Sequence, residues 1–171
     1  MAGNRSGMPT TVGHPHPVPA RLASDPAPVP FAIAFDRAGD LVIANAGTNA
    51  LATFKLGQDG TATLIDSAGT TQAATCWVAT ARGFLFASNA GSASISGYSA
   101  SSGGSLTLIG QTSTDTGTVD AAASPGGQFL YVQTGGNGIV DEFLTHQDGT
   151  LTEIGSVTVA SAAGGEGIAA D

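Results

Sequence analysis

The 171-residue chain is about two-fifths apolar, holds 25 glycines and has only 11% charged residues, a mixture that can bury a core and suits many short strands joined by tight turns. Five scattered basic residues (Arg5, Arg21, Arg37, Lys55, Arg82) stand against thirteen acidic ones; with a net charge of −8 and no cation cluster, nucleic acid and an anionic membrane surface are excluded as partners. The single cysteine, Cys76, excludes an intramolecular disulfide and any Cys-based metal cluster.

Residues 1–28 are rich in Pro, Gly and small polar residues around the run His14-Pro15-His16-Pro17-Val18-Pro19. Such a stretch favours extended chain without ladder hydrogen bonds and reads as a tail, in which Val18 to Ser24 could add one edge strand. Met1 to Thr11 lacks the apolar run of a secretory signal, so the chain as written is expected in the cytoplasm. A longer chain with its own leader would instead be secreted or periplasmic.

From Pro30 one pattern recurs three times. The first unit predicts strands at Phe31–Phe35, Leu41–Asn45, Leu51–Leu56 and Thr61–Asp66, separated by turns through Asp36-Arg37-Ala38-Gly39, Gly47 and Gln58-Asp59-Gly60. The second predicts strands at Thr75–Ala79, Phe84–Asn89, Ser94–Tyr98 and Ser105–Ile109, and the third at Val119–Ala123, Phe129–Gln133, Ile139–Phe143 and Thr150–Ile154. Phe54, Tyr98 and Phe143 are 44 and 45 residues apart, and so are Gly60, Gly104 and Gly149. A period of that length holding four short strands is the mark of propeller blades. The expected fold is therefore all-β: a partial β-propeller of about three four-stranded antiparallel blades, at 30–69, 73–112 and 117–160, with the first strand of a fourth at 165–171.

The candidates for chemistry are few. Asp120 sits on the first strand of the third unit, an inner strand facing a confined channel, where a carboxylate could act as base, ligand or acceptor. Cys76 has no basic neighbour in its strand to lower its pKa and reads as a buried, inert thiol. His14 and His16 are a lone pair in the tail, and His146 lies in a turn. Asp141 and Glu142 are neighbours in a strand and so point to opposite faces. The Gln-Asp-Gly turns and Gly135-Gly136-Asn137-Gly138 are explained by hairpins that need positive φ. With no phosphate-binding loop, nucleophile elbow or zinc-helix motif, neither a cofactor nor a metal site is expected.

The inner strand followed by Ser124-Pro125-Gly126-Gly127 and Phe129-Leu-Tyr-Val, together with Thr75-Cys76-Trp77-Val78-Ala79 followed by Phe84-Leu-Phe-Ala-Ser-Asn89-Ala-Gly91, resembles the repeat of seven-bladed propellers of the lactonase type. That family includes 6-phosphogluconolactonases and 3-carboxymuconate lactonising enzymes. The resemblance covers about residues 30–171, and Gly164 to Asp171 looks like the natural end of such proteins, so the chain resembles a C-terminal half. It implies hydrolysis of a sugar or muconate-type lactone by a His, a Glu and an Arg in the central channel. Alignment on the Ser124-Pro125-Gly126 turn puts Asp120 at the His position, with Ala32 and Cys76 as its counterparts in the other units. The Glu position falls on Ala46, Ala90 and Gly135, and Arg37 and Arg82 lie in turns at the wrong end of the unit. Two alternatives to the enzyme stand beside it: a non-catalytic propeller module binding a small ligand or a protein, and a truncated remnant. Three blades alone leave apolar blade faces open, which implies self-association or pairing with a second propeller half to close the ring.

Overall fold

The computed structural model describes residues 29–171; the edge strand expected within 18–24 lies outside them. Among the described residues there is no helix, and hence none long and apolar enough to cross a membrane. Twelve strands form instead: β1 (Pro30–Phe35), β2 (Leu41–Asn45), β3 (Ala50–Leu56), β4 (Ala62–Gly69), β5 (Thr75–Ala81), β6 (Phe84–Asn89), β7 (Ser94–Ala100), β8 (Leu106–Ser113), β9 (Thr118–Ala123), β10 (Phe129–Thr134), β11 (Ile139–Thr145) and β12 (Leu151–Thr158). Each consecutive group of four is one antiparallel sheet in sequence order, β1-β2-β3-β4, β5-β6-β7-β8 and β9-β10-β11-β12. These are the three expected blades.

The strands at the start of each blade lie side by side, β5 packing against both β1 and β9. They form the inner wall from which the blades radiate, and the fourth strands lie outermost. Because successive residues of a strand face opposite sides, each blade presents one apolar set to the blade before it and another to the blade after. Val42, Ala44 and Leu51 of the first blade meet Leu85, Ala87 and Tyr98 of the second. Ala81, Phe86 and Ile95 of the second meet Leu130, Val132 and Phe143 of the third. Burial of each large side chain in these clusters contributes about 1.5–3 kcal/mol.

Two irregularities recur in every blade. Each inner strand carries one residue more than its partner near its start, between Pro30 and Ile33, at Cys76, and between Thr118 and Ala121. Each outer strand carries one extra isoleucine, Ile65, Ile109 or Ile154, opposite an unbroken partner. Such bulges bend and twist a strand locally. The outer strands also run three or four residues further than their sequence pattern suggests, through Gly69, Ser113 and Thr158. Their extensions, such as Gly110-Gln111-Thr112-Ser113, are mostly small or polar and exposed, so no hydrophobic alternation marks them.

Residues 165–171, where the first strand of a fourth blade was expected, carry no strand pairing. Strand structure needs a neighbouring ladder to satisfy its backbone groups, and no second strand of that blade lies beside them among the described residues. The segment is instead tied to the third blade, where the Ile168 N–H donates to Asp120 Oδ2 at 3.3 Å.

Candidate functional site

The inner strands place Asp120 where the sequence suggests, on the wall made by β1, β5 and β9. Its half-buried carboxylate has both oxygens engaged. Oδ1 accepts from the Ala121 N–H at 2.7 Å and Oδ2 from the Ile168 N–H. The strand start is fixed by Thr118, a buried residue whose hydroxyl bonds that of Thr114.

The pairing register of the inner strands corrects one correspondence drawn from sequence. The paired residues that open the inner strands are Pro30, Thr75 and Thr118. Two residues on from each lie Ala32, Trp77 and Asp120, so Trp77, not Cys76, is the counterpart of Asp120. Alignment on the turns missed this because the turns differ in length: two residues, Arg82 and Gly83, join β5 to β6, whereas five, Ser124 to Gln128, join β9 to β10. Trp77 reaches across to the first blade, its ring centroid 5.6 Å from that of Phe31. Cys76 is buried, its Sγ donating to the Ala74 carbonyl at 3.2 Å, and burial pushes the thiol above its ordinary pKa. The burial is the one expected from the sequence.

The remaining candidates do not join Asp120. Half-buried His146 bonds the Thr152 hydroxyl through Nε2 at 2.8 Å, while His14 and His16 lie outside the described residues. Among the described residues no group of three His, Cys, Asp or Glu side chains could hold a metal ion. The Asp-Gly turns are held internally: Asp59 Oδ1 accepts from the Thr61 N–H and hydroxyl, and Asp148 Oδ1 does the same with Thr150. These bonds favour the ionised form and lower both carboxyl pKa values.

Sequence reasoning missed a polar core at the end of the inner strands where Asp120 lies. In the second blade Thr75 Oγ1 donates to Asn89 Oδ1 at 2.7 Å and bonds Thr70 Oγ1 at 2.9 Å, while Asn89 Nδ2 reaches Ser96 Oγ at 3.0 Å. The third blade replaces Ser96 with Asp141, 45 residues on. Asp141 is 1% exposed, accepts from the Asp115 N–H through Oδ2 at 2.8 Å, and leaves Oδ1 without a partner. Burial pushes its carboxyl up to about 6, with the nearby Asp115 and Glu153 charges adding to the rise. The recurrence of Asn45 and Asn89 at a spacing of 44 was the one signal of this network in the sequence.

Arg37 and Arg82 lie at the opposite end of the inner strands, in the turns that follow β1 and β5. Arg37 Nη2 donates to the Arg82 carbonyl at 2.9 Å, linking the first blade to the second.

None of the curated proteins matches this sequence. Among solved structures, a candidate 6-phosphogluconolactonase from Bacteroides fragilis NCTC 9343 is similar with a TM-score of 0.74 at 20% identity, over 80% of this chain and 41% of that one. A periplasmic gluconolactonase of Pseudomonas aeruginosa gives 0.72 at 20% identity, over 82% and 42%. A functionally unknown protein of Desulfotomaculum acetoxidans DSM 771 gives 0.69 at 21% identity, over 79% and 45%. At these identities the likeness is one of fold, and the chain spans less than half the length of each of these proteins. The family model described as "Lactonase, 7-bladed beta-propeller" matches residues 41–165, running into all three blades. The chain thus belongs to the seven-bladed β-propeller lactonase family.

Proposed function

We propose that this chain serves the lactone chemistry of its family, forming three blades of a channel wall on which Asp120 is the group that deprotonates the attacking water. The observation that carries this reading is the placement of a carboxylate on the inner strand β9 of a chain matched by the lactonase model. In lactone hydrolysis water adds to the ring carbonyl carbon, its proton passes to a base, and the ring C–O bond breaks as the alkoxide takes up a proton. A positioned base typically contributes about 100-fold or more. In Asp120 the Oδ2 contact to the Ile168 N–H is the longer of its two bonds and the one a substrate water would displace.

A second reading is favoured by a separate observation. Both Asp120 oxygens are held by backbone N–H groups, and neither His nor Glu stands at Ala32, Trp77, Ala46, Ala90 or Gly135. On that basis the chain is a lactone-binding propeller module without turnover. The assay is hydrolysis of a 6-phosphoglucono-lactone by the purified chain and by Asp120→Asn, with binding followed by calorimetry. Turnover above background that falls about 100-fold in the variant supports the catalytic role. Saturable binding with no turnover in either protein supports the module, and absence of both removes lactones from consideration.

A further inference from the structure

A cavity of about 410 Å³ opens where the turns joining the first and second strands of all three blades converge. It lies at the other end of the inner strands from Asp120, and its volume falls within the range of small-molecule sites. Asp36, Arg37, Arg82, Gly83, Ser124 and Gly127 are among its walls. The protein carries a net charge of −8, yet two of the three basic side chains among the described residues are here. The third, Lys55, is engaged with Asp40 at 2.7 Å; neither arginine takes part in an ion pair among the described residues.

The turns hold the arginines in place. Arg82 has a positive φ of 51° and is followed by Gly83 at 82°, the two-residue hairpin conformation that glycine permits. The Arg37 guanidinium lies over Gly83 in space a side chain there would fill, and its Nη2–H donates to the Arg82 carbonyl. Its other N–H groups remain available. Arg82 Nε is buried without a hydrogen-bond partner, and so is Oδ2 of Asp36 on the same wall, whose Oδ1 is taken by the Ala38 and Asp40 N–H groups. A buried donor and a buried acceptor left without partners are each costly, and a ligand that met them would remove that cost.

We propose that this cavity is a binding site for a small oxyanion bearing a hydroxyl group, the anion held by Arg37 and Arg82 and the hydroxyl donated to Asp36 Oδ2. Guanidinium N–H groups match the planar oxygens of a carboxylate. The hydroxyl lets the ligand tolerate the Asp36 charge, which would repel a bare anion. The site is separate from the channel position of Asp120, and it stands or falls independently of lactone turnover.

The test is titration of the isotope-labelled chain with malate, succinate and inorganic phosphate at low ionic strength, followed by amide chemical shifts and calorimetry. Malate is expected to bind saturably, shifting the Gly83 and Gly127 amides, and to bind at least five-fold more tightly than succinate or phosphate. Arg82→Gln should weaken it about ten-fold. Should that variant fail to fold, exposed Arg37→Gln provides the same test with a smaller loss. Absence of saturable malate binding, equal affinity in the arginine variants, or succinate or phosphate binding as tightly as malate would each overturn the proposal.

Discussion

Ile65 fills the space beside Gly104: a Cβ built on that glycine would lie 2.6 Å from Ile65 Cδ1. The same relation returns one blade later, with a Cβ on Gly149 falling 2.5 Å from Ile109 Cδ1. The bulged isoleucine of the first and second outer strands is thus a knob that seats under the turn glycine of the next blade. Gly104 and Gly149 are buried, whereas Ile154, the knob of the third blade, is 52% exposed.

Gly104→Ala should therefore destabilise the protein twice over, through a φ of +82° and through the clash with Ile65. The expected loss is about 2–4 kcal/mol by urea denaturation. Gly60 has the same φ of +82° but is exposed, so Gly60→Ala should show only the backbone part, about 1–2 kcal/mol. Equal losses at the two sites would remove the knob from the account.

Tyr98 is fully buried and donates its hydroxyl to the Gly69 carbonyl of the preceding blade at 2.8 Å. Burial raises its pKa to about 12, so the hydroxyl remains a donor throughout the neutral range. Tyr98→Phe keeps the ring packing and leaves the carbonyl unmet, for an expected loss of about 1–2 kcal/mol. The midpoint of thermal unfolding measures it.

Asp141 gives the fold a pH dependence of unusual sign. Its folded pKa of about 6 lies above the ordinary carboxyl value of 3.8, so the folded state holds the proton more tightly than the unfolded state. Its contribution to stability is full below about pH 4 and is lost as pH rises through 6. Asp141→Asn should flatten this slope and raise stability at pH 8 by on the order of 2 kcal/mol. A denaturation series between pH 4 and 8 that is unchanged by the substitution would contradict it.

Cys76 should react with a thiol reagent only when its blade opens. Its Sγ is buried, bonded to Ala74 O and raised in pKa, each of which suppresses the thiolate. At pH 7 the native chain is expected to be modified at least 100-fold more slowly than the chain in urea. Rapid labelling in native buffer would show an accessible thiolate.

Much of the architecture was legible because propeller blades are local. Every blade is a meander of consecutive strands, so the spacing of Phe54, Tyr98 and Phe143 and of Gly60, Gly104 and Gly149 already implied three like units. Strand edges were less legible where the outer strands run on through small and polar residues such as Ser67 and Gln111. Their extension is driven by backbone pairing with β3 and β7, which side-chain pattern does not record. Asp120 was legible as an inner-strand carboxylate, but its engagement by Ile168, 48 residues away, was not.

Repeat and strand order were thus determined by sequence alone, since each depends on which residue stands where along one blade. The tertiary structure decided what depends on contacts between blades. Strand register makes Trp77 the counterpart of Asp120, burial among strands from one blade raises Asp141 beside a loop from another, and the turns of three blades bring Arg37 and Arg82 to one cavity. Side chains more than forty residues apart meet only when the sheets pack, and the charge and solvation that set their chemistry arise at that step.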